Sequence, residues 1–561
     1  MHRFLGRAAR RVMFATLVVA ATGIGVVTTT ANGAGTAGGG TVIYRLDGDW
    51  TDFDIQRTSI GAQNRISRLV YEGMLAYAPD RGGQSRIVGH LASSWTVSPR
   101  SITFKLRKGP TCADGTPVTP GVVVRSWRRM LQVSTTLNLA FGGTQGGGGK
   151  PATGVGPFSV SANNRAGTVT FRASKPNSEL IYGFLGPYGG LAGGAARVVC
   201  PAGLTNPNRL KTQMFGTGPY QVVSAKHLDQ AVLKLRRNYR WGPNGIKASD
   251  RGMPDTIVFK VVANSTTAAN LFLTNQLDVG EDMPAADRTR VTAGGKYKIV
   301  RETSKMTTHY LAFNNRKPVL QDVNLRTALI MAYSPETYML AVNGRNSGAI
   351  VNHQFSTASA QCYNASLRSL VPRGTLETAR ALLLRNGYTY RDSQLYKPDG
   401  GKLELQFLGT PSETGPGGEY LADQWRKLGV DVELSNVESS IWGGSIYVGN
   451  YDATVLGFTS DYPSAGAGIG WLSGPYPPDG NNLGVPRNTT YERQITLAKQ
   501  TLGATSCRHW NNAARLMLQN RWFFPMYANA RANVLHENIQ FQKWNGEIQM
   551  ITYRLADSIR K

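Results

Sequence analysis

At about 150 residues per unit, the 561-residue length implies roughly three or four structural units rather than one core. The chain is 41% hydrophobic and 17% charged, which supports packed cores and excludes wholesale disorder, and its 64 glycines show no Gly-X-Y period, which excludes collagen. With 62 Lys+Arg against 35 Asp+Glu the net charge is +27, but the basic residues are scattered and carry no RRM, zinc-finger or heptad signature, so the first reading is a solvated basic surface with no nucleic-acid partner.

Arg3, Arg7, Arg10 and Arg11 precede an uncharged apolar run from Val12 to Val27, and Thr29-Thr30-Ala31 offers small residues for a peptidase. This is the pattern of a secretory signal peptide over 1–31. The competing reading is an uncleaved anchor, for which the run is short. The first cysteine is Cys112, so a lipoprotein anchor at the mature N-terminus is not expected. Residues 32–41 read as a flexible Gly-rich tether. Their Gly33-Ala-Gly-Thr-Ala-Gly38 matches G-x-G-x-x-G but follows no strand, so it is not taken as a dinucleotide fingerprint.

The remaining chain reads as mixed α and β. Trp95–Val97 and Ile102–Leu106 alternate around Ser98-Pro99-Arg100-Ser101 and predict a hairpin. Thr119 caps a helix with Pro120 at its first position, running over Gly121–Leu131. Residues 142–149 are six glycines with Thr and Gln, a surface loop. Strands are predicted at Gly167–Phe171, Tyr220–Ser224, Ala231–Leu235 and Asp255–Val262. In the second half, helices fall at Val323–Tyr333, where Ser334-Pro335 interrupts the pattern, at Leu376–Asn386 closed by Gly387, and at Glu419–Leu428 stopped by Gly429. Strands follow at Leu403–Leu408, Val430–Leu434 and Tyr451–Gly457. Trp442 is placed in a Gly-rich loop before the Tyr451 strand. Such patterning predicts an α/β fold with helices covering a sheet.

In an exported chain the four cysteines Cys112, Cys200, Cys362 and Cys507 favour disulfides. Three pairings are possible; Cys112–Cys200 with Cys362–Cys507 keeps each bridge within one half, and four buried thiols are the alternative. No C-x-x-C and no H-x-x-x-H occurs, so no metal site is expected. Gly443-Gly444-Ser445-Ile446-Tyr447 lacks the last glycine of a nucleophile elbow, and Gly149-Lys150 is followed by Pro151, not Ser or Thr. No catalytic constellation and no cofactor is expected.

An ordered set of segments carries more than pattern. It runs Tyr71-Glu-Gly-Met-Leu75, Leu106-Arg-Lys-Gly109, Asp114-Gly-Thr-Pro-Val-Thr119, Gly216-Thr-Gly-Pro-Tyr220 and Arg237-Asn-Tyr-Arg-Trp241. It continues through Tyr310-Leu-Ala-Phe-Asn314, Leu320–Leu329 and Gly457-Phe-Thr-Ser-Asp-Tyr-Pro463. In this order, over about residues 41–555, the chain resembles the family 5 extracellular solute-binding proteins of bacterial ABC importers.

The resemblance implies a two-lobed periplasmic-binding-protein-like fold (class II type). Lobe I would comprise 41–82, 185–312 and 524–561, with an extra domain inserted at 83–184, and lobe II would be 313–523. Ligand would lie between hinged lobes, and the closed form would dock on a permease in the cytoplasmic membrane. Peptides are the implied ligand, held by a monomer in the periplasm or at the envelope exterior; an oligosaccharide or metal chelate is the alternative. A third reading is a secreted basic protein that binds an anionic envelope polymer. By the resemblance Asp461 pairs with the ligand's α-ammonium, a strong charge-assisted contact in a closed cleft. Gly457, Phe458, Thr459 and Tyr462 flank it. Asn314 and Tyr527 fall at the hinge, Tyr44, Tyr71 and Tyr220 are lobe I contacts, and Trp442 is a cleft candidate. Phe458 stands where many members have Trp, and Pro463 is followed by Ser464-Ala465-Gly466 where many have Asp-Pro.

Overall fold

The structure, a computed structural model, describes residues 39–57, 61–79, 85–134, 157–185, 196–281, 283–344, 348–350, 362–410, 414–437, 439–458, 472–477, 479, 482–544 and 547–556. The signal segment, most of the tether, the 142–149 loop, Thr459, Asp461 and Tyr462 lie outside them.

The chain enters at strand β1 (Thr41–Leu46). A four-stranded antiparallel sheet follows, from β2 (Ala92–Ser98), β3 (Ser101–Leu106), β4 (Phe158–Asn163) and β5 (Thr168–Ala173), in the order β2-β3-β5-β4. Helix α1 (Pro120–Val133) begins as its sequence dictates: the Thr119 side chain accepts from the Val122 amide at 3.3 Å and Pro120 fills a position whose missing N–H costs nothing. Trp127 on its buried face meets Phe104, Phe171 and Phe184, so the helix is stitched to this sheet by aromatic edges.

Next come β6 (Tyr220–Lys226), β7 (Gln230–Leu235), β8 (Thr256–Val261), β9 (Val279–Gly280) and the 17-residue β10 (Tyr297–Phe313). Helix α2 (Val323–Met331) is capped by Asp322, and α3 (Pro335–Asn343) starts at once. Ser334-Pro335 therefore ends one helix and founds another: the Ser334 hydroxyl accepts from the Thr337 amide at 3.1 Å. Then follow α4 (Leu376–Arg385), β11 (Glu404–Gly409), α5 (Gly415–Lys427) and β12 (Asp431–Asn436). Gly429, between α5 and β12, has φ +98°, and a Cβ there would meet the Tyr390 ring at 2.7 Å, so its place in the turn is enforced twice.

Residues 439–448 form helix α6 (Ser439–Val448), which corrects the loop predicted around Trp442. Gly443 and Gly444 lower helix propensity, but burial of Ile446 and the bond from Trp442 Nε1 to Thr454 Oγ1 at 3.0 Å override it. The chain closes with β13 (Ala453–Phe458), α7 (Thr489–Gln500), α8 (Gly503–Gln519) and the 14-residue β14 (Phe523–His536).

One 11-stranded mixed sheet runs through the described residues, in the order β12-β11-β13-β10-β14-β9-β1-β8-β7-β6, with Gly348–Ile350 added to β14. Packed on it are distinct hydrophobic cores. The first gathers Tyr44, Trp127, Phe171, Phe259 and Trp544, the second Leu329, Phe407, Trp425 and Phe524, and the third Tyr310, Tyr451, Trp510 and Phe523. Cys112 is bonded to Cys200 and Cys362 to Cys507.

Candidate functional site

The two long strands β10 and β14 join the cores. Their antiparallel ladder runs from Tyr297↔His536 to Ala312↔Phe523 and breaks register twice, between Glu302 and Met306 and between His309 and Tyr310. At one end Val300 and Leu535 enter the first core; at the other Tyr310, Leu311, Phe523 and Tyr527 enter the second and third. Among the described side chains, Arg301, Glu302, Thr308, His309, Ala528, Arg531, Ala532 and Asn533 belong to none of these cores. Bulged strands without a core of their own are where a chain bends most cheaply.

Strand ends converge on that segment. In open α/β sheets ligands sit beyond the carboxyl ends of parallel strands. β1 and β9 run parallel and end at Leu46 and Gly280; β11 and β13 run parallel and end at Gly409 and Phe458. Gly457 pairs with His309 and Phe458 with Thr308, so β13 delivers the chain directly to the segment between the cores.

Beyond β1 and β9 lies a charged cluster. Glu281 receives the Tyr44 hydroxyl, Arg65 Nε at 3.1 Å and an Arg531 guanidinium nitrogen at 3.6 Å, while Arg65 also pairs with Asp47. Burial pushes the Glu281 carboxyl up, but Arg65, Arg531 and Arg68 outweigh it and hold the group down at about 2. The Tyr44 phenol is pushed up by burial and by Glu281, so it remains a donor. Arg531 stands on β14 within 528–533, which ties this cluster to the segment that joins the cores. None of Glu281, Arg65 and Arg531 was singled out from sequence. They lie far apart along the chain, and no local motif marks them.

The profile of bacterial extracellular solute-binding proteins, family 5 Middle, matches residues 86–479. The chain belongs to this family. The match agrees with the two-lobed α/β fold expected from its ordered motifs, and the family consists of solute-binding proteins. Among relatives, the probable D,D-dipeptide-binding periplasmic protein DdpA of Escherichia coli is 24% identical over 70% of this chain and 69% of its own. The periplasmic oligopeptide-binding protein OppA of Escherichia coli is 24% identical over 71% of each chain. The crystal structure of NikA from Brucella suis in complex with Fe(III)-EDTA shares the fold at a TM-score of 0.73, with 18% identity over 92% of this chain and 100% of that one.

In this binding protein the remaining candidate residues are placed as follows. Tyr71 is buried and its hydroxyl accepts from the Phe215 amide at 3.1 Å. Tyr220 is buried and its hydroxyl donates to the Pro254 carbonyl at 2.7 Å. Asn314, fully buried, donates from Nδ2 to the carbonyls of Gly449 at 3.0 Å and Tyr451 at 2.9 Å. Tyr527 stacks on His309, one residue from the β10 register break. Trp442 lies on α6 against Thr454. The structure thus brings Gly457 and Phe458 beside His309 and Thr308, with Tyr527 of the second core stacked on His309, and sets Tyr71 and Tyr220 inside the first core.

Proposed function

We propose that the chain is the extracytoplasmic receptor of an ABC importer, capturing di- or oligopeptides between two hinged lobes and handing them to a membrane permease. The observation that carries this is the pairing of two separately cored bodies by bulged strands in a chain of the solute-binding family. Support for peptides comes from DdpA and OppA, whose names state peptide binding and which align over 69% and 71% of their own lengths. In this reading it binds without transforming its ligand, acts as a monomer, and is exported to the periplasm or envelope exterior.

The domain division that goes with this reading is lobe I at 41–82, 185–312 and 524–561, an inserted domain at 83–184, and lobe II at 313–523. Support for it is that the first core draws on residues 42–300 and 535–555, whereas the second and third draw on 310–527. Asp461 is the ligand-ammonium partner in this reading. It lies three residues beyond Phe458, the end of the strand that reaches the inter-core segment, and a carboxylate there would be costly to enclose without a cation. Closure signals occupancy because ligand contacts both lobes only in the closed state.

Native mass spectrometry of the exported protein, with release and sequencing of what it carries, tests the proposal. A mixed ladder of short peptides on the wild type, absent from Asp461→Ala, is the expected result. A single non-peptide mass would overturn the peptide assignment and point to a ligand such as the chelate held by NikA.

A further inference from the structure

Apart from the hinge strands, the chain makes another contact between its cores. Ser178 lies in the segment between β5 and the short helix Leu180–Phe184, whose Leu180 and Phe184 belong to the first core. Lys499 is in the last turn of α7 and Ser506 in the first turn of α8, and the neighbouring Ala498 and Trp510 belong to the third core. The Ser178 amide donates to the Lys499 carbonyl at 3.0 Å, and the hydroxyls of Ser178 and Ser506 lie 3.2 Å apart. Ser178 and Ser506 are 7% and 4% exposed, and Glu179 beside them is 8% exposed.

The segment is held ready from its own side. The Asn177 amide donates to the Pro99 carbonyl in the β2–β3 turn, and the Asn177 side chain accepts from the Glu179 amide at 3.0 Å. On the other side, the Ser506 hydroxyl bonds the Ala498 carbonyl at 2.8 Å, which locks the α7–α8 corner. Burial disfavours the charged form of Lys499, while Glu492 and Glu179 favour it, so the ammonium is drawn to an acid of its own helix and to one across the contact.

The chemistry of this contact is polar. A hydrophobic interface resists separation because opening it exposes apolar surface. Hydrogen bonds between hydroxyls and peptide groups exchange for water at little net cost, provided both partners are released together. Such a contact suits an interface that is made and broken in each binding cycle.

We propose that Ser178, Glu179, Lys499 and Ser506 form a clasp that positions the closed state and sets how long a bound solute stays. It rests on the hinged reading above. None of the four lies on β10, β13 or β14, so they act as positioning residues for capture and not as ligand contacts.

The test uses the full chain with Ser178→Cys and Ser506→Cys. All four natural cysteines are bonded, so the new pair supplies the free thiols. Tri-alanine is the probe. Alkylation by a bulky maleimide should be fast without peptide and at least tenfold slower at saturation, and oxidation should join the pair and trap bound tri-alanine. Equal reactivity with and without bound peptide, fast or absent, would overturn the clasp. Separately, Lys499→Met should raise the dissociation rate several-fold with the association rate and melting temperature unchanged; an unchanged dissociation rate overturns it. If tri-alanine fails to bind, the peptide reading fails, and scattering then decides the clasp. A smaller radius of gyration for the oxidised than the reduced pair supports it, and equal radii overturn it.

Discussion

The imidazole of His309 lies flat on the phenol ring of Tyr527, with centroids 4.5 Å apart and planes 3° from parallel. The stack joins β10 to β14 beside a register break, and the Tyr338 ring of α3 lies tilted with its centroid 5.7 Å from that of Tyr527. Burial alone lowers the His309 pKa from its ordinary 6.5 to about 4. The folded protein therefore holds a neutral ring at pH values where the unfolded chain binds a proton. Stability is complete above pH 6.5 and falls as the pH drops towards 4, by at most about 3 kcal/mol. Urea midpoints measured across that range should decline in the wild type, and His309→Gln should flatten the decline. A slope unchanged by the substitution would show that other groups carry it.

Glu281 holds Arg65, Arg531 and Tyr44 together at the ends of β1 and β9. Glu281→Gln leaves two guanidiniums facing a neutral amide, with Arg65 keeping Asp47. The expected loss is about 3 kcal/mol, since removing one side of a buried ion cluster strands the rest. Tyr44→Phe removes one hydrogen bond and should cost about 1 kcal/mol. Chemical denaturation at pH 7 checks both, and the order Glu281→Gln above Tyr44→Phe is the discriminating outcome.

The legible parts of the fold were those with local signals. Thr119-Pro120 specifies the start of α1, and Trp95–Val97 with Ile102–Leu106 specifies the β2–β3 hairpin, because cap and alternation are written in adjacent residues. The 17-residue β10 and 14-residue β14 were not predicted as strands. Each passes from one core to another and slips register on the way, so no single inside–outside alternation spans it. Helix α6 was missed because Gly443-Gly444 is a loop signal that only tertiary burial reverses. At the site, Gly457 was named from a family motif and Tyr527 from the family's lobe crossing, whereas Glu281 meets Arg531, 250 positions away, through topology alone.

The motif set that pointed to the family has a physical centre in Glu72. Its carboxylate accepts from Thr217 Oγ1 at 2.8 Å, Tyr239 OH at 2.6 Å and Trp241 Nε1 at 2.9 Å, and meets His90 Nε2 at 2.7 Å. Three of the ordered segments thus converge on one acid. Burial pushes Glu72 up, but His90 and the donors bring it below its ordinary value, so it stays charged. Glu72→Gln turns an amide donor towards this ring of donors and should cost about 3 kcal/mol. His90→Gln, which keeps a donor, should cost less. Thermal melts of the two variants would refute the idea if the order were reversed.

The two disulfides divide their effects by what they close. Cys112–Cys200 spans 88 residues that include α1, β4 and β5, and Cys362–Cys507 spans 145 that include α4 to α7. Cross-links stabilise chiefly by restricting the unfolded chain, and the chain-entropy relation gives about 4.6 kcal/mol for the shorter loop and about 5 kcal/mol for the longer, as upper values. The two bonds should therefore matter almost equally in total, but in different bodies. The Cys200 amide also bonds the Phe215 carbonyl beside Tyr71, inside the first core, whereas Cys507 sits on α8 against the third. Replacing Cys112 and Cys200 by Ser should lower the melting of the first core, and replacing Cys362 and Cys507 that of the second and third. Hydrogen exchange resolved by peptide would separate them: protection should fall over 41–300 in the first variant and over 310–527 in the second. Uniform loss over both bodies in either variant would mean that the cores unfold as one unit, and that the strands joining them are stiffer than a hinge requires.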